Sequence, residues 1–156
     1  MRLSGELFDL DSLDVVHAYD IDITSCDDCK VCHHTPTCKY NADAMGGLID
    51  TLEAIDTLII ASPVYFGGLT DRLMRIVNRL QQLYERKFTH NRPLSISTVH
   101  MVLTCGANKS WMFDGPRVTH HIVKTMVGAK GECFTFSGTD DRTDYTQTIN
   151  QYKAHL

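Results

Sequence analysis

The sequence predicts an α/β protein with an open, doubly wound parallel sheet and helices on both faces. Short apolar and β-branched runs alternate along the chain with segments of helical spacing, an order that is typical of βαβ units. The predicted strands cover residues 14–19, 57–61, 96–103 and 132–137, and the predicted helices cover residues 42–55, 73–84, 117–127 and 144–155. In such a sheet, ligands bind beyond the carboxyl ends of the strands. We therefore expect the functional site in the loops that follow the strands.

The first half of the chain supplies two predicted strands and one predicted helix. The run DVVHAY at residues 14–19 has the composition and alternation of a strand. Apolar residues then recur at three- and four-residue intervals through Met45, Leu48 and Leu52, which predicts a helix. The apolar run TLIIA follows almost at once and predicts a buried strand.

The second half of the chain continues this alternation. An apolar stripe at helical spacing runs from Leu73 to Tyr84 and is typical of a helix packed on a sheet. The runs ISTVHMVL and ECFTFS predict strands, and RVTHHIVKTMV between them predicts a helix. Gly128 and Gly131 mark the passage from that helix to the next strand. The segment DYTQTINQYKAH predicts a last helix.

Length and composition favour one domain over residues 1–156. The net charge is −4 and the basic residues form no block, so the electrostatic pattern of a nucleic-acid-binding protein is missing. The apolar runs are too short for a membrane span, and the N-terminus lacks the regions of a signal peptide. We expect a cytoplasmic protein that acts on small molecules and binds neither nucleic acid nor a membrane.

The loop ASPVYFGG at residues 61–68 stands between a predicted strand and a predicted helix. Its proline locks its own φ and biases the preceding residue away from the helical conformation. Its two glycines allow a left-handed or crowded backbone that a flat ligand can approach closely. The residues between them can present backbone N–H groups and an aromatic surface to one edge of a ring system. The same combination of proline and glycine also forms ordinary turns.

The stretch TLIIASPVYFGGLTDRLMRIVNRL resembles the strand, loop and helix of the flavodoxin-like NAD(P)H-dependent FMN reductase family. In that family the equivalent loop surrounds the isoalloxazine ring of FMN. The resemblance implies a flavodoxin-like fold, FMN as cofactor and NAD(P)H as co-substrate, in a homodimer or homotetramer with the flavin near the subunit interface. The flavin contacts that it implies, mostly through backbone atoms, are Ser62, Pro63, Val64, Tyr65, Phe66 and Gly67.

A second loop is similar in position to the family's second flavin loop. It comprises Thr104, Cys105 and Gly106, and Trp111 follows a few residues later. These residues can also simply end a strand, and Trp111 can equally be a surface or subunit-contact aromatic. We expect no catalytic acid or base from the protein, because hydride passes to the flavin ring itself and the protein supplies orientation and electrostatics.

A cysteine-rich loop precedes these segments. Short loops let several thiolates point into one cavity, and the spacing resembles the compact motif of iron–sulfur flavoproteins, which implies a [4Fe–4S] cluster. Zinc is the competing metal, because four thiolates suit tetrahedral geometry and two histidines stand nearby. A metal-free loop that forms a substrate rim or a subunit contact is the third interpretation. The cysteines are Cys26, Cys29, Cys32 and Cys38, and the histidines are His33 and His34.

The resemblance is incomplete at the N-terminus. Family members begin with a strand and a Gly/Ser-rich loop whose amides hold the FMN phosphate at a helix N-terminus. Residues 1–13 resemble at most the end of a helix, so we expect a sheet without the usual first strand and helix. The gap has three explanations: a shortened reading frame, residues 4–10 (SGELFDL) folding into it, or another subunit filling it. In each case FMN affinity is expected to be weaker than in the family.

The favoured function is that of a flavin-dependent oxidoreductase of the NAD(P)H-dependent FMN or quinone reductase type. It would carry electrons from reduced nicotinamide through FMN to an acceptor. The first alternative is an iron–sulfur flavoprotein that acts as an electron-transfer protein. The second is a cofactor-free remnant or interaction module. Iron analysis and FMN binding separate the three.

Overall fold

A computed structural model describes residues 2–9 and 13–154 of the chain. The described strands are β1 (Thr57–Pro63), β2 (Thr98–Cys105) and β3 (Cys133–Ser137). The described helices are α1 (Arg2–Leu7), α2 (Val31–His34), α3 (Ala44–Ala54), α4 (Asp71–Arg79), α5 (Gln81–Phe88), α6 (Asp114–Val127) and α7 (Thr146–Lys153), with a 3₁₀ helix at Ser110–Phe113. Strands and helices alternate from α3 onward, which confirms the predicted α/β class.

The three strands form one parallel sheet in the order β1-β2-β3. The ladder between β1 and β2 runs from Thr57 opposite Thr98 to Pro63 opposite Thr104. Alternate residues of β2 belong to two different hydrophobic clusters, because successive side chains of a strand point to opposite faces. Both faces of the sheet are therefore apolar and need helices to cover them.

One face is covered by α3 to α6. Met45 and Ile49 of α3, Leu83 of α5 and Val123 of α6 are buried there against Val99 of β2. These helices confirm the predicted helical spacing at residues 42–55 and 117–127. The buried stripe holds each helix on the sheet, since burying each such side chain contributes about 1.5–3 kcal/mol.

The other face is covered by α1 and α7. Leu7, Tyr145 and Ile149 form a second cluster with Phe134 and Phe136 of β3. The Tyr145 ring meets Phe136 edge-on at a centroid distance of 5.4 Å. Helices thus lie on both faces, as predicted.

The predicted helix 73–84 is divided into α4 and α5. The break lies at Leu80, whose φ and ψ are −63° and −10° and whose amide donates to the carbonyls of both Ile76 and Val77. Such a shared donor is typical of a tight 3₁₀-like turn at a helix end. The apolar stripe runs through the break because α4 and α5 lie on the same face of the sheet.

The predicted strand at residues 14–19 is wrong. This segment has no strand structure, and the amide of Asp20 closes a turn onto the carbonyl of His17. Val15, Val16 and Tyr19 are 49%, 52% and 63% exposed. Alternating apolar residues form a strand only where a neighbouring strand accepts their backbone hydrogen bonds and a core accepts their side chains, and this segment has neither among the described residues.

The segment SGELFDL does not extend the sheet beside β1. Its first residues belong to α1, and the ring of Phe8 packs on His100 and Phe134, on the face that α7 covers. Leu10 lies outside the described residues. Within residues 2–9 and 13–154, β1 has β2 as its one neighbouring strand. None of the described helices has both the length and the hydropathy that crossing a bilayer requires.

Candidate functional site

An aromatic turn, defined here as residues 65–68, follows β1 at the carboxyl end of the sheet. Tyr65 and Gly68 exchange two backbone hydrogen bonds of 3.1 and 3.0 Å, and Phe66 and Gly67 between them have φ values of 51° and 74°. Positive φ at both central positions is the signature of a type I′ turn. Phe66 is therefore held in a left-handed conformation that is unfavourable for a residue with a side chain. Its ring is fully exposed, at 105%, and Tyr65 is 62% exposed.

The residues before the aromatic turn anchor it to the sheet. The hydroxyl of Ser62 donates to the carbonyl of Pro63 at 2.7 Å and accepts from the amide of Thr70 at 3.4 Å. The amide of Val64 donates to the carbonyl of Thr104 at 2.7 Å. Ser62 and Val64 are buried, whereas Pro63 is exposed. The anchor ties the first predicted loop to the second and leaves the aromatic residues on the surface.

The first turn of α6 supports the aromatic turn from behind. A Cβ atom added to Gly115 would stand 2.5 Å from the carbonyl oxygen of Gly67, and one added to Gly67 would stand 4.0 Å from the carbonyl oxygen of Met112. Only a residue without a side chain allows this approach. Sequence reasoning missed Gly115, because a glycine in the first turn of a helix carries no signal of a contact 48 residues away.

The second predicted loop lies beside the first. Cys105 is buried, and its carbonyl accepts from the amide of Thr139 at 3.0 Å. Thr104 and Gly106 are half-buried. A Cβ atom on Gly106 would overlap the carboxylate of Asp140, so the loop after β3 closes over this position. Gly106 is thus needed for a close approach that the sequence did not reveal.

The two loops present an open surface for a flat ligand. Among the described residues, the amides of Phe66 and Gly67 donate no hydrogen bond. Trp111, on the 3₁₀ helix beside Met112, is 63% exposed. Free amides next to exposed aromatic rings can bind the polar edge and the face of a planar heteroaromatic molecule.

A second candidate site is the cysteine pocket, whose lining includes no residue of the aromatic turn. It is a cavity of about 30 Å³ in which all four clustered cysteines meet residues of α5. Cys26 and Cys29 are exposed, whereas Cys32 and Cys38 are half-buried. The residues that line it include Cys26, Cys29, Cys32, Cys38, His33, Tyr40, Gln81 and Glu85. The remaining cysteines belong to the sheet: Cys105 lies in the core, and burial raises the pKa of the Cys133 thiol to about 11.

Glu85 and His33 form a hydrogen-bonded pair in this pocket. The carboxylate of Glu85 accepts from Thr89 at 2.5 Å, from Gln81 at 3.0 Å and from Nδ1 of His33 at 3.1 Å. The hydrogen bond from Thr89, with those from His33 and Gln81, holds the pKa of Glu85 below its ordinary value. Burial, with the neighbouring Glu85 carboxylate, raises the pKa of Cys32. Sequence reasoning could not reveal this pair, since its members are 52 residues apart.

Buried arginines fix the backbone around the cysteine pocket. Arg79, at the end of α4, is 1% exposed and donates to the carbonyl of Thr24 and the carboxylate of Asp43, both at 2.8 Å. Arg86 of α5 is 3% exposed, and its Nε donates to the carbonyl of Pro36 at 2.8 Å. The polar faces of α4 and α5 therefore hold the cysteine loop in place.

No three Cys, His, Asp or Glu side chains of the described residues already stand together as metal ligands. The structure brings the four predicted cysteines to one cavity without converging their sulfur atoms on one point. None of the residues that line this cavity belongs to the loops at residues 62–68 and 104–106, which lie side by side.

Among models of protein families, one described as NADPH-dependent FMN reductase matches residues 2–126 of the chain. No curated protein matches the chain. Among solved structures, the crystal structure of a thermophilic tryptophan halogenase (Th-Hal) from S. violaceusniger is similar with a TM-score of 0.53 and 13% identity, over 74% of each chain. That likeness concerns the fold alone.

Proposed function

The chain belongs to the NADPH-dependent FMN reductase family, and we propose on this basis that the aromatic turn and the loop at residues 104–106 form its FMN site. The family implies NAD(P)H-dependent oxidoreductase activity with FMN.

The main evidence for the proposed FMN site is the rigid aromatic turn at the carboxyl end of β1. A type I′ turn closed by two hydrogen bonds keeps the unpaired amides of Phe66 and Gly67 in fixed positions. Ligands of open α/β sheets bind at this end of the strands. The residues fit a flavin, because the ring system offers acceptor atoms along one edge and an aromatic face.

Each predicted contact residue has a different role in this proposal. The amides of Phe66 and Gly67 bind the polar edge of the ring, and Tyr65 covers apolar ring surface. Ser62, Pro63 and Val64 set the path of the loop through the anchor to Thr70 and Thr104. Thr104, Cys105 and Gly106 form the neighbouring wall through their backbone.

When bound, FMN supplies the chemistry of accepting hydride from reduced nicotinamide and passing electrons onward. The two loops would hold and orient the ring. The ring of Phe66 is exposed on the aromatic turn, and Trp111 is exposed on the 3₁₀ helix next to Met112, whose carbonyl oxygen lies near Gly67. We propose a flat acceptor such as a quinone or a second flavin, since aromatic side chains stack on flat rings.

The experiment for this function is anaerobic titration of the chain with FMN, followed by NADPH and NADH oxidation with a quinone present. Saturable FMN binding and FMN-dependent oxidation would support the reductase. A protein that does not bind FMN would support the alternative of a cofactor-free interaction module.

We propose that the active assembly is a homodimer. Tyr84 and Phe88 of α5, whose rings lie 4.8 Å apart, and Val118 and Ile122 of α6 are exposed. These four side chains are 39–58% exposed, and a standard interface buries ~800 Å² per partner. The amines of Lys87 and Lys124 on the same helices donate to the carbonyls of Val127 and Gly131 at 2.6 and 3.0 Å, so the two helices bring few free cations to this surface.

We also propose a cytoplasmic location. All six cysteines are free thiols. Free thiols persist in a reducing compartment.

The iron–sulfur alternative rests on the four cysteines of one cavity. They supply the number of thiolates that a [4Fe–4S] cluster takes. The side chains do not converge on one point, however, because no three Cys, His, Asp or Glu side chains of the described residues stand together as metal ligands. The pocket as it stands does not fit the cluster, and we derive no electron-transfer step through it. Iron and acid-labile sulfide analysis of anaerobically purified protein tests this alternative.

A further inference from the structure

We propose, on the basis of the FMN site proposed above, that the carboxylate of Asp140 makes this site bind reduced FMN more weakly than oxidised FMN. Asp140 lies on the loop after β3, outside both loops that supply the proposed flavin contacts. Weaker binding of the reduced form makes the bound flavin a stronger electron donor.

The carboxylate of Asp140 fills the space beside Gly106 in which any other residue would place its side chain. A Cβ atom added to Gly106 would overlap with Cγ and with both carboxylate oxygens of Asp140. Gly106 belongs to the wall that the second loop contributes to the proposed FMN site. The negative charge of Asp140 therefore lies directly against that wall.

Backbone hydrogen bonds hold Asp140 in this position. The amide of Thr139 donates to the carbonyl of Cys105 at 3.0 Å, and the amide of Gly138 donates to the carbonyl of Ala107 at 3.3 Å. These two bonds join the loops after β2 and β3 on both sides of the contact glycine. The backbone that carries the carboxylate is thus fixed before any ligand binds, as a residue that tunes a site requires.

The charge of Asp140 is not neutralised by a neighbouring cation. In the part of the chain that the structure describes, none of the ion pairs includes Asp140. Arg142 is the nearest cation in the sequence, but its Nε donates to the carbonyl of Asp144 at 2.7 Å and its guanidinium lies 4.6 Å from the ring centre of Tyr145. An unpaired carboxylate acts with its full charge on a ligand beside it.

Oxidised and reduced FMN differ in the charge of the flavin ring. A hydride carries one proton and two electrons, so its transfer leaves the nicotinamide ring as a cation and adds one negative charge to the neutral flavin ring. A fixed negative charge nearby disfavours the reduced ring and has little effect on the neutral oxidised ring. The ratio of the two affinities sets the midpoint potential of bound FMN, because binding and reduction form one closed thermodynamic cycle.

The test compares the original chain with Asp140→Asn, which keeps the shape of the side chain and removes its charge. Fluorescence titration measures the affinity for oxidised FMN, and anaerobic reduction beside a reference dye measures the midpoint potential of bound FMN. We expect Asp140→Asn to change the affinity for oxidised FMN by less than about twofold and to raise the affinity for reduced FMN about threefold to tenfold. This change corresponds to a midpoint potential about 14–30 mV higher.

Asp56→Asn is the matched control. Asp56 is also exposed, and it immediately precedes β1 at the opposite end of the sheet. A strand of seven residues is about 20 Å long, which exceeds the distance over which exposed charges interact at physiological salt. The midpoint potential of this variant should equal that of the original chain.

Ionic strength separates the charge of Asp140 from its shape. Because Asp140 is exposed, raising the salt from about 0.01 M to about 0.5 M should shrink the difference between the original chain and Asp140→Asn. A difference caused by altered packing against Gly106 would persist in high salt.

Three outcomes would overturn the role of Asp140 and leave the proposed FMN site in place. These are equal midpoint potentials in the original chain and Asp140→Asn, a difference that salt does not reduce, and an equal shift in Asp56→Asn. An original chain that shows no saturable FMN binding would instead contradict the proposed oxidoreductase, and the role of Asp140 with it.

Discussion

Gly115 lies so close to Gly67 that a single added methyl group on Gly115 would stand 2.5 Å from the Gly67 carbonyl oxygen. This contact fixes the back of the aromatic turn against α6. The shape of the proposed FMN site therefore depends on a glycine that lies outside both predicted loops.

Gly115→Ala tests this dependence. The added methyl group should push the aromatic turn outward and lower FMN affinity about tenfold, because ring-binding amides displaced by even half an ångström lose their hydrogen-bond geometry. FMN fluorescence titration measures the change. Gly47→Ala, on α3, is the control, since nothing lies within 4 Å of its added Cβ. Equal FMN affinity in both variants would show that the contact is irrelevant to the site.

The substitution Phe66→Gly should change stability and FMN binding in opposite directions. Phe66 has φ 51° and an exposed ring, so glycine relieves backbone strain without removing a buried side chain. We expect the free energy of unfolding to rise by about 0.5–1 kcal/mol, while FMN binds more weakly because the aromatic surface is lost. Denaturant unfolding and FMN titration give the two values. Phe66→Asn, which tolerates the same backbone, should behave alike.

Arg79→Met tests the buried arginine that holds the cysteine loop. Removing its guanidinium leaves the carboxylate of Asp43 and the carbonyl of Thr24 without their partner. Breaking one side of a buried ion pair costs about 3–5 kcal/mol, and urea unfolding should show a loss of this size. Arg75→Met, at an exposed arginine of the same helix, should change stability by less than about 0.5 kcal/mol. Similar losses in the two variants would contradict the role of Arg79.

We expect the protein to lose stability in mild acid because of the buried side chain of His120. It is 4% exposed, its Nε2 donates to the carbonyl of Val99 at 2.8 Å, and burial lowers its pKa below the ordinary value of 6.5. The unfolded chain therefore takes up this proton before the folded chain does. The contribution of His120 is fully present above pH 6.5 and is lost as the pH falls through the lowered folded value.

His120→Gln should make this acid dependence shallower, since glutamine keeps a donor for Val99 and does not titrate. Urea unfolding at several pH values between about 7.5 and about 5 measures the slope. His121→Gln, at the exposed neighbouring position, should retain the slope of the original chain. His100, whose pKa burial also lowers, contributes the part that remains in the His120→Gln variant.

Ile122→Glu tests the proposed dimer surface. A carboxylate on the exposed face of α6, one turn after Val118, should prevent association, because burying an unpaired charge is strongly unfavourable. Light scattering should then give the mass of a monomer, with the far-UV circular dichroism unchanged. His121→Glu, on the same helix, should remain dimeric. A dimer in both variants would place the interface elsewhere.

The fold could be predicted wherever the signal was local. Pro63 and Gly67 mark the end of β1 and the turn within a few residues, and the stripe from Leu73 to Tyr84 marks the helices on one face. The strand prediction for residues 14–19 failed because an exposed segment can have the residue pattern of a strand without a neighbouring strand to pair with. Local pattern also did not reveal the break at Leu80.

The contacts that shape the two sites were beyond sequence reasoning for the same reason. Gly115 meets Gly67, and Glu85 meets His33, only after the chain has folded. Arg79 lies outside the apolar stripe that predicted its helix, yet it is buried under the cysteine loop. Spacing predicted that the cysteines gather, and only the structure showed which histidine and carboxylate join them.

The most direct test of the account is FMN binding by the purified chain, measured side by side for the original protein, Gly115→Ala and Gly47→Ala. We expect saturable binding of one FMN per chain that Gly115→Ala weakens and Gly47→Ala preserves. A chain that shows no saturable FMN binding, or that binds FMN equally in all three forms, would contradict the assignment of the aromatic turn as the flavin site.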